Sequence, residues 1–137
     1  CQALKKHGIE ETWILPSDLM RENGPRFLGE ILDRFSDITA VFACNDMCAA
    51  GVLAGAREMG INCPQDLSVI GFDNIGLARE LMPALTTIHV SKTWLGALGV
   101  RELVERIQTP DQPKLTILIS TDLIARDSVC SLYEVRR

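Results

Sequence analysis

The sequence has 137 residues, 47% hydrophobic and 23% charged, the size and balance of one folded domain with a single core, which excludes a disordered tail. Its formal charge is −4 with the basic residues scattered, so it lacks a positive stripe of the kind that grips a phosphate backbone. No apolar run is long enough for a membrane span, and five cysteines, odd in number and without paired spacing, point to free thiols in a reducing, cytoplasmic setting.

The chain opens in what reads as the last turns of a helix, Gln2 to His7, closed by Gly8, and this opening has the texture of a fragment. Thr12 to Leu15 reads as a short strand ahead of Pro16 and Ser17. Phe27, Leu28, Ile31, Leu32 and Phe35 recur at helical spacing opposite Arg26, Glu30, Asp33 and Arg34, which predicts an amphipathic helix. Thr39 to Cys44 is short and continuously apolar, as expected of a strand buried on both faces. Met47 to Met59 is rich in Ala and Gly and apolar nearly all round, and Gly60 ends it. A helix without a polar face needs cover on two sides, by its own sheet and by something else, with a second subunit as one source. Leu67 to Phe72 reads as a second buried strand ending in Asp73-Asn74, and Leu85 to His89 as a third. Lys92 to Gln108 reads as a helix with Gly96, Val100, Leu103, Val104 and Ile107 on one face. A loop over 109–113 leads to two final apolar segments, Leu115 to Ile119 and Leu123 to Ala125, expected as strands. Strands alternating with helices at this pitch predict an α/β fold, a Rossmann-like, doubly wound parallel sheet flanked by helices.

In open parallel sheets ligands collect at the carboxyl ends of the strands, where helix N-termini and loop polar groups converge. Asn45-Asp46 and Asp73-Asn74 occupy two such ends. A carboxylate accepts two hydrogen bonds from neighbouring hydroxyls, and an amide both donates and accepts, so these residue types suit a polyhydroxylated ligand. They are equally ordinary cap and turn residues; Asp46 reads first as a helix cap, whereas Asn45 and Asp73 stay open between the two roles. Cys44 and Cys48 lack the second pair that a structural zinc needs, so no metal site is expected. His7 and His89 have no partner identifiable from spacing and no Gly-x-Ser-x-Gly elbow is present, so no catalytic residue is assigned. Gly51 and Gly55 have the spacing that lets helices approach closely, not the setting of a phosphate loop.

Ala43 to Met47, followed by Met59 to Asn74 with its stretch Pro64-Gln65-Asp66-Leu67-Ser68-Val69-Ile70-Gly71-Phe72-Asp73-Asn74, resembles the signature of the LacI/GalR family of bacterial transcription regulators. Leu85 to His89 resembles that family's strand leading back toward the hinge, and Ile124 to Val129 its usual C-terminal ending. The resemblance implies a periplasmic-binding-protein-like type I domain, present in part: 1–90 mostly one lobe, and 91–137 a hinge-proximal helix and final strands joining the other. It further implies a small sugar-like effector, no cofactor, no enzymatic activity, a homodimer with the helix Met47 to Met59 in or near the interface, and operator DNA held only by an N-terminal segment absent here. On the family pattern Asn45 and Asp73 fall on polar effector contacts and Leu19 on a flat apolar one. Three departures stand out: Leu19 is not aromatic, Val90 replaces a frequent Gln, and the effector-gripping Arg of the family falls outside this sequence. A periplasmic sugar-binding protein of a transport system shares the fold and is the alternative, and an α/β enzyme using Asp73 or Cys44 is a second.

Overall fold

The computed structural model describes residues 2–8, 14–16 and 18–131. Helix α1, Gln2–Lys6, precedes a 3-10 turn, Arg21–Asn23, and α2, Gly24–Arg34. Then come β1, Ala40–Phe42; α3, Asp46–Glu58; β2, Ser68–Asp73; α4, Leu77–Glu80; β3, Thr86–His89; α5, Lys92–Gln108; and β4, Asp122–Ile124. Gly8 and Gly60, just past α1 and α3, take φ of +75° and +72°, the left-handed conformation that closes a helix without a side-chain penalty. Of the predicted strand at 12–15, residues 12 and 13 lie outside the described residues, and Ile14 and Leu15 are irregular.

The four strands form one sheet in the order β1-β2-β3-β4, parallel from β1 to β3 and antiparallel between β3 and β4. The α/β architecture expected from the alternation of elements is therefore present, with one antiparallel edge. Leu115 to Ile119 forms no strand: it has no ladder partner among the described residues, and the sheet is closed on that side by Asp122–Ile124.

The core lies between one face of the sheet and the helices α3 and α2. Val69, Leu67, Leu85, Ala49, Val52, Ala56 and Leu28 are fully or almost fully buried there, with Val41 and Leu32 packed against them. Burying the leucines and valines among them is worth about 1.5–3 kcal/mol each, the main force holding helix to sheet. The opposite face is much more open. Phe42 is 63% exposed and β1 is an edge strand, which corrects the expectation of a strand buried on both faces. The apolar run at Thr39–Cys44 has the composition of a central strand, but α2 and α3 cover only the side that carries Val41.

Helix α3 finds its second cover within the chain. A Cβ placed on Gly24 would stand 2.1 Å from the Gly51 carbonyl carbon, and one on Gly51 would stand 2.2 Å from the Arg21 carbonyl oxygen. One on Gly55 would stand 2.6 Å from the Pro25 Cα. The small-xxx-small pair thus lets α3 meet the start of α2 backbone to backbone. The face that composition left available for a second subunit is filled by α2.

The C-terminal segment is stitched into the roots of two strands. Ser128, fully buried, donates from Oγ to the Val69 carbonyl at 2.5 Å and accepts from the Thr86 amide at 2.8 Å, while the Val69 amide donates to the Ser128 carbonyl at 2.8 Å. No buried side-chain polar atom among the described residues is left without a partner.

Candidate functional site

The β1–β2 register pairs Phe42 with Ile70, and the β2–β3 register pairs Asp73 with His89. Asn45 follows the end of β1 by three residues and Asp73 is the last residue of β2, so both predicted polar positions lie at the carboxyl end of the sheet, where a parallel fold opens its crevice.

Asn45 is the N-cap of α3: its Oδ1 accepts from the Cys48 amide at 2.7 Å, from an extended backbone of φ −151° and ψ 170°. Its amide nitrogen stands 3.5 Å from the Leu19 carbonyl, which brings the third predicted residue beside it. Leu19 is exposed and has φ +66°, a left-handed conformation rare for a leucine. Asp46 is not the cap. It is fully buried, accepts from the Thr87 hydroxyl at 2.5 Å on Oδ1 and from the Ile75 amide at 2.8 Å on Oδ2, and so is committed to joining α3, β3 and the loop after β2. Gly71 makes room for this carboxylate, since a Cβ there would lie 2.3 Å from Asp46 Oδ1.

Asp73 and Asn74 have φ of +106° and +49°, which cost about 1–3 kcal/mol each and persist only when the surroundings fix them. The surroundings do. Arg126 Nη2 donates to Asn74 Oδ1 at 2.6 Å, Asn74 Nδ2 meets His89 Nδ1 at 3.2 Å, and the Asn74 amide points at the Thr87 hydroxyl at 3.4 Å. Lys92, the first residue of α5, donates to the Asp73 carbonyl. The Asp73 carboxylate itself, half-buried, receives no hydrogen bond or ion pair from any described residue. Its neighbours are occupied, and this acceptor has no partner among the described residues.

The other residues with chemical potential lie apart. Cys44 and Cys48 line an apolar cavity of 510 Å³ with Phe27, Ile31, Val41 and Phe42, on the β1 edge and without Leu19, Asn45 or Asp73 in its wall. Partial burial, followed by the nearby Cys48, raises the Cys44 thiol above its ordinary 9.0, so it is a poor nucleophile. His7 is exposed beyond α1 and Trp94 is exposed on α5; Trp13 lies outside the described residues. Sequence reasoning passed over Lys92, His89 and Arg126 as site-forming residues. Arg126 and Asn74 are 52 positions apart, and no local spacing announces such a pair.

Residues 2–129 match the family model described as a periplasmic binding protein-like domain. The chain belongs to that family. The periplasmic-binding-protein-like chain is 41% identical over 130 residues to the HTH-type transcriptional repressor PurR of Erwinia tasmaniensis, covering 93% of this chain and 38% of that protein. It is 42% identical over 121 residues to the PurR of Escherichia fergusonii, covering 88% of this chain and 36% of that one. It therefore spans little more than a third of these relatives. Among solved structures, the transcriptional regulator CelR in complex with cellobiose superposes with a TM-score of 0.84 at 29% identity, over 93% of this chain and 39% of that one. A LacI family transcriptional regulator from Enterococcus faecium with bound ribose does so with a TM-score of 0.79 at 33% identity, over 93% and 48%. These relatives are transcription regulators, none of them favours the transport-protein alternative, and the LacI-type resemblance read from the sequence holds. The periplasmic-binding-protein-like chain is part of an effector-binding domain.

Proposed function

We propose that this chain is the sugar-sensing part of a LacI-type transcription repressor, working in the cytoplasm. The Asp73 carboxylate accepts from two neighbouring hydroxyls of a small polyhydroxylated effector, the Asn45 amide donates to another, and Leu19 supplies an apolar contact. The observation that carries this reading is the unpartnered, half-buried carboxylate of Asp73 on a backbone that its neighbours fix, at the same end of the sheet as Asn45. The sugars bound in two structural relatives, cellobiose and ribose, support the ligand class.

In this proposal residues 1–90 are most of one lobe, and α5 leads toward the other before the chain returns through β4 to pair with β3. Val100, Leu103 and Ile107 of α5 are 64%, 60% and 70% exposed, the surface expected of a helix whose cover lies in the remainder of the longer protein. Operator binding belongs to an N-terminal segment outside this sequence. Effector binding changes operator affinity by favouring one lobe arrangement over another. The active species is a homodimer that meets along the C-terminal flank of α3. There Met82, 89% exposed, stands beside a groove lined by Leu53, Arg57 and Gly60. Met82→Glu is expected to yield monomers by light scattering; an unchanged dimer removes this placement.

A thermal-shift panel of D-ribose, cellobiose, phosphosugars and nucleosides on the full-length protein tests the site. A true effector raises the melting temperature through linkage, by about 2.7 kcal/mol of stability at one hundred times Kd. Asp73→Ala abolishes that shift. No shift with any polyol, or a shift indifferent to Asp73→Ala, overturns the assignment.

A further inference from the structure

The Asp73-Asn74 corner is held by a residue from the far end of the chain. Arg126 makes three bonds: its amide donates to Thr86 Oγ1 at 2.9 Å, Nη1 to the Leu85 carbonyl at 2.5 Å, and Nη2 to Asn74 Oδ1 at 2.6 Å. The first ties the backbone of Arg126, and the second its guanidinium, to the root of β3, so the third delivers a held donor to Asn74. A guanidinium only donates, so it forces the Asn74 oxygen toward itself and the amide nitrogen toward His89 Nδ1, which must then accept. Asn74 is thereby pinned on both ends in its left-handed conformation, and Ile75 is pinned by Asp46. Asp73, the residue before, is carried into place at φ +106° with its carboxylate open.

We propose that Arg126 is a positioning residue for effector binding: through Asn74 it holds the strand-end corner that presents the Asp73 carboxylate, without touching the ligand itself. The inference rests on the reading of Asp73 as an effector contact. Arg126 acts at a site whose other parts come from β2 and β3, which makes the C-terminal segment part of the binding site's frame and not a tail. Lys92 adds a bond to the Asp73 carbonyl, but it is exposed and single, whereas the half-buried Arg126 bonds both the residue after β2 and the residue before β3.

The test uses the full-length protein with Arg126→Met, Arg126→Lys, Asn74→Ala and Asp73→Ala. Amide hydrogen exchange in the ligand-free protein reads the corner directly. Arg126→Met is expected to speed exchange at Asn74 and Ile75 at least tenfold and to leave Ala49 and Val52 in α3 unchanged, with Arg126→Lys intermediate. Asn74→Ala removes the same bond while leaving Arg126 on Leu85, and should reproduce the effect if Arg126→Met folds poorly. Binding of D-ribose and cellobiose is then measured by calorimetry, and the sugar that binds should lose at least tenfold in affinity with Arg126→Met and recover partly with Arg126→Lys. Unchanged exchange at the corner overturns the proposal, as does affinity within twofold of the parent while Asp73→Ala abolishes binding. Where Asp73→Ala binds sugar as well as the parent, the assignment of Asp73 is what fails; the exchange rates at Asn74 and Ile75 then decide by themselves whether Arg126 holds the corner.

Discussion

Asp46 Oδ1 accepts the Thr87 hydroxyl at 2.5 Å inside the core, and its other oxygen takes the Ile75 amide at 2.8 Å. One carboxylate therefore ties the first turn of α3 to β3 and to the loop that follows Asp73. Hydrogen bonds to a charged group contribute about 1.5–3 kcal/mol each, and truncating the acceptor also strands the buried Thr87 hydroxyl and the half-buried Ile75 amide. Asp46→Ala is expected to cost about 3–5 kcal/mol by denaturant titration, roughly the sum of two such bonds. Thr87→Val leaves Asp46 its amide donor and should cost less, about 1–2 kcal/mol. Equal losses for the two variants would show that the Ile75 bond carries nothing.

Where α2 meets α3, the main chains themselves are in contact, and a single methyl group tests how rigid that contact is. Gly51→Ala places a methyl 2.2 Å from the Arg21 carbonyl oxygen, which is main chain and cannot rotate away as a side chain does. Overpacking of this kind costs about 1–3 kcal/mol where side chains yield, and a backbone clash lies at the top of that range. Gly96→Ala, where nothing lies within 4 Å, is the control and should be neutral to slightly stabilising, because alanine is the better helix former. A Gly51→Ala protein with unchanged stability would mean that α2 moves freely against α3.

How far these contacts were legible in the sequence depends on their range. The helix at Lys92–Gln108 and the turn at Gly60 follow from local periodicity and a terminating glycine, and both stand as read. Asn45 and Asp46 have the same capping chemistry, and what separates them is Thr87, 41 positions away, and Ile75, which claim Asp46 and leave the cap to Asn45. The Gly51–Gly55 spacing announced a close approach but not its partner, because Gly24 and Pro25 share no pattern with it. Thr39–Cys44 reads as a central strand because composition reports apolarity and not which neighbours a strand receives. At the Asp73-Asn74 corner, Asp73 was visible as a polar residue ending an apolar strand, whereas the part played by Arg126 was not: its bonds exist only once β3 and the C-terminal segment have packed together.

The thiols report on burial in solution. Desolvation raises Cys63 above 9.0, with Asp66 adding to it, and partial burial then Cys48 raise Cys44. Iodoacetamide labelling followed by mass spectrometry is expected to be slow for both at about pH 7.5 and to inflect above pH 9.0. Cys48→Ala should bring the Cys44 profile down toward 9.0 without reaching it, since burial is the larger cause. The folded state binds the Cys63 proton more tightly than the unfolded chain does, so its contribution to stability is intact below pH 9.0 and is lost as pH rises through the higher folded value. Cys63→Ala should flatten the stability profile on that alkaline side. An inflection for Cys63 at or below 9.0 would contradict the half-buried placement of its sulfur.

Helix α5 carries an apolar face that nothing among the described residues covers: of its seventeen residues only Leu98 is buried, while Val100, Leu103 and Ile107 stand open. A charge placed on a surface that stays in water is nearly neutral, within about 0.5 kcal/mol. A charge placed on a surface that another lobe covers is expensive, because a carboxylate loses its hydration without gaining a partner. Leu103→Asp should therefore leave the stability of the 137-residue chain almost unchanged and lower that of the full-length protein by several kcal/mol. Denaturant titrations of both lengths, each with and without the substitution, measure the difference directly. Equal small effects in the two would mean that α5 keeps its apolar face in solvent in the longer protein as well, and the assignment of this helix to the second lobe would fall.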